Sequence, residues 1–270
     1  MKMKAIDLIK ERRSVRTFSG KPLSKEDAAR ILAFAEKAAN PYGLHIDWVL
    51  LDTKATGLRT PVIAGEDTYI ASKMKRTPHA EEAFGYSFEK TVLFAQSIGV
   101  GTTWIAGTMD RDSFEKAVFL AADEVMPCIS PLGYPSDKMS VKETIMRKGV
   151  KADRRRDFQE LFFDGSFDSP LSADTSGKWK NALEAVRLAP SAVNKQPWRA
   201  VICGDTVHFY EKRSKSRNEG EWDIQKIDMG IALCHFESVC ADEGLTVKFR
   251  TEDPGFAADD YTVYIASYSL

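Results

Sequence analysis

The chain has 270 residues, 43% apolar and 29% charged, and its 38 basic and 39 acidic side chains leave a net charge of −1. That balance offers a nucleic-acid backbone or an anionic membrane surface nothing to recognise globally, and the length permits one large domain or two smaller ones. Cys128, Cys203, Cys234 and Cys240 form no CxxC pair and no metal-ligand spacing with the four histidines, so reduced thiols, no metal and a cytoplasmic location are expected.

Residues 4–12 read as a short helix with Ile6, Leu8 and Ile9 on one side. The N-terminus leads into this charged helix rather than a signal-peptide core, and no later apolar run is long enough to span a bilayer. Arg12-Arg13-Ser14-Val15-Arg16 follows, a dense set of guanidinium and hydroxyl donors. Arginine binds oxyanions in bidentate fashion and keeps its charge, so this run suits a phosphate or the polar edge of a heterocycle. Ser24 is the expected cap of a helix reaching about Ala39, ended by Asn40-Pro41-Tyr42-Gly43. Strand character appears over 46–51 and 69–72, then a long helix over 80–97 with Phe84, Phe88, Val92 and Ala95 in register. Gly99 to Gly107 reads as a turn, a short strand and a glycine turn. Asp112 is the expected cap of a helix ending near Leu120, and 128–132 is the next strand, before Gly133-Tyr134-Pro135.

Residues 136–176 read as a polar, basic link, with Arg147, Arg154, Arg155 and Arg156, an apolar turn over 158–163, and a crossing loop over 164–177. An amphipathic helix over 177–188 then leads into Ala189-Pro190-Ser191-Ala192-Val193-Asn194-Lys195-Gln196-Pro197-Trp198. Pro190 cannot continue the helix and Pro197 biases Gln196 toward extended backbone. Ser191 and Ala192 leave the main chain accessible, and Asn194 and Gln196 add polar groups, so a flat, polar-edged ligand could lie there. A strand over 199–203 turns tightly at Gly204-Asp205. The helix over 223–242 is apolar nearly all round and should be buried on every side, and 261–267 reads as a closing strand.

The chain repeats itself. Trp198 lies 198 − 48 = 150 residues after Trp48, with Ala35 matching Ala185 and Ala39 matching Ala189; Gly85 matches Gly230 and Gly99 matches Gly244, each 145 apart. The expectation is an α+β fold of two pseudo-symmetric, helix-covered antiparallel-sheet halves, 1–150 and 151–270, packed as one body.

Arg12-Arg13-Ser14-Val15-Arg16 with Phe18, and Pro190-Ser191-Ala192-Val193-Asn194-Lys195-Gln196-Pro197-Trp198, resemble the flavin motifs of the FMN-dependent nitroreductase family. Gly99–Gly107 and Gly133-Tyr134-Pro135 resemble its glycine strand and closing strand. Members are interlocked dimers in which each FMN takes the arginine motif from one chain and the Pro-Ser loop from the other. Here the first half keeps only the arginine motif and the second only the loop, so the resemblance is to a fused, single-chain pseudo-dimer with one complete FMN site.

The resemblance implies roles for particular residues. Arg12, Arg13 and Ser14 would bind the ribityl phosphate or chain, and Arg16 the polar edge of the ring. Arg155 and Arg156 would also hold phosphate. Pro190, Ser191, Ala192 and Asn194 would cover the ring, with Gln196 behind them, and Ala106 and Gly107 would lie over its N5 side, although the family often has glutamate at the Ala106 position. The implied activity is hydride transfer from NADH or NADPH through flavin to nitro-aromatic, quinone or similar small-molecule acceptors. No side chain is singled out as catalytic, and His45 and His79 read as structural or surface residues. The expected state is a monomer, itself a pseudo-dimer, with further association of chains left open. The rival readings are another reduction on the same fold, such as enone reduction or dehalogenation, and a flavin carrier or sensor without turnover.

Overall fold

The structure, a computed structural model, describes residues 3–214 and 223–270; Met1 and Lys2, where the N-terminal reading begins, lie outside the described residues. The elements in chain order are α1 (Ala5–Glu11), α2 (Lys25–Ala35), β1 (Asp47–Asp52), α3 (Thr53–Thr56), β2 (Thr68–Lys75), α4 (Ala80–Ser97), α5 (Arg111–Ala117), β3 (Glu124–Val125), β4 (Ile129–Leu132) and α6 (Val141–Gly149). They continue with α7 (Phe158–Leu161), β5 (Phe162–Asp164), α8 (Lys180–Leu188), β6 (Trp198–Cys203), β7 (Thr206–Lys212), α9 (Ile224–Asp242), β8 (Lys248–Arg250) and β9 (Thr262–Ser269). The chain divides into two units, one from Glu11 to Ala152, the other joining the residues as far as Lys10 to those from Asp153 onward.

In the Glu11–Ala152 unit, β1 runs antiparallel to β2 from Asp47↔Lys73 to Asp52↔Thr68. The far edge of β2 takes β4, antiparallel, from Thr68↔Leu132 to Ala71↔Ile129, and β3 at Met74↔Val125. Leu51, Tyr69, Ala71, Ile105, Phe114, Met126 and Ile129 form a core on this sheet. Phe34 of α2 stacks on Phe94 of α4, ring centroids 4.2 Å apart. Ser24 caps α2 as expected, accepting from Asp27 N–H at 3.0 Å.

In the other unit the strand order is β5-β6-β7-β9-β8. All pairs are antiparallel except β5 with β6. The turn at Gly204-Asp205 joins Cys203 to Thr206 as read from the sequence, with Gly204 at φ 56°. Phe209 meets Phe236 of α9 edge-on at 5.1 Å, so β7 alternates between a helix-covered face and the opposite one. Asp223 caps α9 through Gln225 N–H, and the helix is buried along most of its length, from Ile227 through Cys240.

The expected α+β class holds, and the same pairing recurs in each unit: β1–β2–β4 in one, β6–β7–β9 in the other. Each is preceded by a helix, α2 or α8, that packs on the unit's long helix, α4 or α9. Gly99 (φ 77°) and Gly244 (φ 75°) hold matching left-handed positions just after those long helices.

Four local expectations are corrected. Helix α2 stops at Ala35 instead of Ala39, with Glu36 as its C-cap and single turns beyond. Asp110, not Asp112, stands at the N-cap of α5. Gly99–Gly107 forms isolated bridges, Gly101↔Gly133 and Ile105↔Ile129, instead of a strand. The link is structured: it contains α6, α7 and β5. Helix α6 escaped detection because its burial opposes its hydropathy, with Val141 77% and Ile145 64% exposed while Glu143 is 1% exposed.

Candidate functional site

The Arg12–Arg16 run leaves α1 as extended chain, and Ser14 forms a parallel bridge to Thr102, with Val15 N–H donating to Thr102 carbonyl at 2.9 Å. Two glycines permit this approach. A Cβ on Gly101 would meet Val15 Cγ2 at 2.9 Å, and one on Gly133 would meet Phe18 Cδ1 at 2.8 Å. Both distances are closer than side-chain packing tolerates.

Two buried carboxylates orient the arginines. Arg12, its side chain only 6% exposed, lies with Nε 3.7 Å from Oε1 of fully buried Glu89, whose other oxygen accepts from Trp104 Nε1 at 3.0 Å. Burial pushes the Arg12 guanidinium below its ordinary pKa, opposed by Glu89 and reinforced by Arg147. Its Nε and Nη1 are buried and make no hydrogen bond among the described residues. Leaving such donors unpaired is costly, which marks them as groups awaiting an acceptor.

Glu143 accepts from Arg13 Nη1 at 3.2 Å, Thr17 Oγ1 at 2.8 Å and Arg16 N–H at 3.3 Å. It stands in the first turn of α6, capped by Ser140, whose Oγ accepts from Glu143 N–H at 3.1 Å. The Arg16 guanidinium is half-buried and makes no side-chain hydrogen bond among the described residues. Burial, countered by Glu143, draws its pKa down.

In the same unit Ala106 is half-buried and Gly107 exposed. Arg111 fixes this bend: Nη2 donates to the Ala106 and Pro127 carbonyls at 3.2 and 3.1 Å, and Nη1 to the Met126 carbonyl at 2.6 Å. The sequence reading did not single out Glu89, Glu143 or Arg111. Only Glu143 left a recognisable signal, the Ser140-x-x-Glu143 spacing of a capping box.

The Pro190–Trp198 loop lies in the other unit with Arg155 and Arg156. Val193, Asn194 and Gln196 all adopt positive φ (45°, 58° and 53°), a strained backbone for residues with a Cβ, so Gln196 is left-handed and not extended as its place before Pro197 led one to expect. The surroundings hold it there. Gln196 N–H donates to Ser191 Oγ at 2.9 Å, Gln196 Oε1 accepts from Arg156 N–H at 2.8 Å, and Asn194 Nδ2 donates to the Arg154 carbonyl at 2.9 Å. Arg155 closes the end of α8, donating from Nε and Nη2 to the Leu188 carbonyl at 3.4 and 3.1 Å. The Arg156 guanidinium meets Glu160 at 3.3 Å.

From below, buried Asp228 of α9 accepts the Ala192 N–H with both oxygens, at 3.0 and 3.2 Å. Burial raises its pKa well above the usual carboxylate range despite that bond, and Asp223 and Glu211 push the same way. Asn194 and Gln196 therefore spend side-chain atoms bracing the loop, while Pro190, Ser191 and Val193 are half-buried or exposed on it. Among the described residues no group of three or more His, Cys, Asp or Glu is placed to hold a metal, and no helix is long and apolar enough to cross a membrane.

The Arg12–Arg16 run offers cationic donors of the kind that bind a phosphorylated heterocycle. Arg12 Nε and Nη1 and the Arg16 guanidinium, which make no hydrogen bond among the described residues, and the Ser14 hydroxyl fit such a group.

Comparison with known proteins places this geometry in context. Residues 4–240 match a family model described as "Putative TM nitroreductase". No curated protein matches the chain. Among solved structures, a "putative nitroreductase" from Thermotoga maritima MSB8 aligns over 100% of this chain and 95% of its own, at 18% identity and a TM-score of 0.65. An FMN-dependent nitroreductase from Clostridium difficile R20291 aligns with 50% of this chain and 89% of its own, at 20% identity and a TM-score of 0.41. An iodotyrosine deiodinase bound to FMN and 3-iodo-L-tyrosine covers 50% of this chain and 92% of its own, at 18% identity and a TM-score of 0.42.

Proposed function

Because this chain belongs to the nitroreductase family, we propose that it is an FMN-dependent oxidoreductase that takes hydride from NADH or NADPH and reduces nitro-aromatic, quinone or similar conjugated acceptors. The observation that carries the reading is the pair of guanidinium groups at Arg12 and Arg16. One has buried N–H groups with no hydrogen-bond acceptor, the other has no side-chain hydrogen bond among the described residues, and both lie in one five-residue run.

Arg12, Arg13, Ser14 and Arg16 would supply donors to the phosphate and ring edge. Pro190, Ser191 and Ala192 would supply backbone and small side chains against the ring, and Arg155 and Arg156 positive charge. Bound flavin would supply the two-electron redox chemistry. The chain's own part is to hold the ring, offer positive charge and N–H donors where negative charge accumulates, and leave a substrate-accessible face. Arg111 serves this by fixing the Ala106–Gly107 bend through three carbonyls.

The cleanest test is Arg16→Ala. Arg12 has a buried carboxylate partner whose loss of charge balance would confuse stability with affinity; Arg16 does not rely on a side-chain hydrogen bond. Loss of a charge-assisted contact is worth about 1.5–3 kcal/mol, so FMN affinity falls roughly ten- to 150-fold in a fluorescence-quench titration. An unchanged dissociation constant in a folded variant rejects the assignment. Anaerobic NADH or NADPH should bleach the yellow protein. Retained colour would make the chain a flavin binder without turnover, and protein that takes up no FMN would remove the cofactor altogether.

A further inference from the structure

The unit that carries the Pro190–Trp198 loop also contains a cavity of about 480 Å³, lined by Phe163 of β5, Arg199 of β6, Lys212 of β7 and Thr262 of β9, with Phe167, Asp168 and Asp259 from adjoining loops. Strand alternation fixes where it lies. Phe209 faces α9, so its neighbour Tyr210 faces the other way, and Arg199 sits directly opposite Tyr210 in the β6–β7 register. The cavity is therefore on the sheet face turned away from the long helix. Its volume is in the range of small-molecule sites.

Arg199 is the unusual member. Its Nη1 donates to the Gln196 and Trp198 carbonyls at 3.1 and 2.6 Å. No carboxylate pairs with it among the described residues; Glu160 and Asp259 act on it only at longer range, and Arg156 adds like charge. Burial accordingly pushes its pKa down to about 10. A half-buried guanidinium whose Nε and Nη2 make no hydrogen bond among the described residues is stabilised by a bidentate anion. The remaining charges select which anion. Lys212 is already paired with Asp259, and Asp168 is exposed at the wall. The lining charges of Arg199, Lys212, Asp168 and Asp259 balance, but Arg199 has no carboxylate in ion-pair contact among the described residues and can take a monoanion, while Asp168 at the wall disfavours a phosphate dianion. Phe163 and Phe167, centroids 5.4 Å apart, supply an aromatic wall, and Tyr210 buttresses Phe167 edge-on at 5.0 Å.

We infer that this cavity binds a planar aromatic monocarboxylate, its ring against Phe163 and Phe167 and its carboxylate on Arg199. The site is independent of the flavin reading and stands whether or not FMN binds.

The test uses the full chain and 2-naphthoate, followed by backbone-amide NMR. Saturable binding is expected, with shifts concentrated at Phe163, Phe167, Ala258 and Thr262. The neutral isostere 2-naphthamide should bind at least tenfold more weakly to the unaltered chain, and phenyl phosphate more weakly than benzoate. Arg199→Gln should weaken naphthoate at least tenfold. Arg199 also braces two loop carbonyls, so Phe167→Ala provides a second variant that leaves the guanidinium in place; several-fold weaker binding is expected there. No saturable binding, equal affinity for acid and amide, or shifts confined to residues 190–198 or 12–16 would each overturn the proposal.

Discussion

Burial and two neighbouring carboxylates keep the Asp228 proton bound above the ordinary carboxylate range. The unfolded chain releases that proton near pH 4, so between that value and the folded-state pKa the native protein holds more protons than the unfolded one. Stability therefore falls as pH rises through this window, at up to about 1.4 kcal/mol per pH unit for one proton. Asp228→Asn keeps an oxygen acceptor for Ala192 N–H and removes the ionisation. Urea unfolding at pH 5 and pH 8 should show a smaller loss of stability in the variant. Glu211, whose pKa burial also raises, leaves part of the slope in place. An identical slope in both proteins would show that Asp228 does not carry it. None of this was legible in the sequence, where Asp228 is one acid on an apolar helix and the chain that covers it is 36 residues away. Glu143 was hidden similarly: its partners Arg13 and Thr17 precede it by 130 and 126 residues.

Elements were legible where hydropathy and burial agree. Helices α4 and α9 show their buried residues in the sequence, and Ser24 marks the start of α2. Helix α6 reverses the relation, because its buried glutamate is satisfied by distant donors while Val141 and Ile145 face solvent. The glycines of 99–107 and 133 were recognised, and at Gly101 and Gly133 the physical role is packing. Gly101 and Gly133 pair with each other and leave room for the chain from Val15 to Phe18. Gly133→Ala forces its methyl into the Phe18 ring and should cost about 1–3 kcal/mol. Phe18→Leu, itself destabilising, removes the ring edge it strikes, so a double-mutant cycle should give a coupling that recovers part of that loss. Strictly additive effects in thermal or urea unfolding would refute the clash.

At the scale of the whole chain, the pairings β1–β2–β4 and β6–β7–β9 recur at matching positions while the loops after α2 and α8 differ. The loop after α2 closes on itself: Asn40 Nδ2 donates to the Leu44 carbonyl at 2.8 Å and to Ser87 Oγ at 3.2 Å, and Leu44 N–H returns to Asn40 Oδ1 at 3.2 Å. Its amide is committed to the fold, and the residue is buried. The Pro190–Gln196 loop instead keeps Ser191 and Val193 at its surface under three strained φ angles, a cost that persists only when the surroundings impose it. The Arg-Arg-Ser-x-Arg run occurs once, at Arg12–Arg16. On the proposed function one arginine run and one Pro-Ser loop serve a single flavin, so FMN should titrate to one equivalent per chain, and light scattering of the loaded protein should return the 30.2 kDa of one chain. Two equivalents would mean that the Asn40 loop still serves a flavin and that the two halves have not divided the work. A dimeric mass with one flavin per chain would leave the division of labour intact and overturn only the single-chain state.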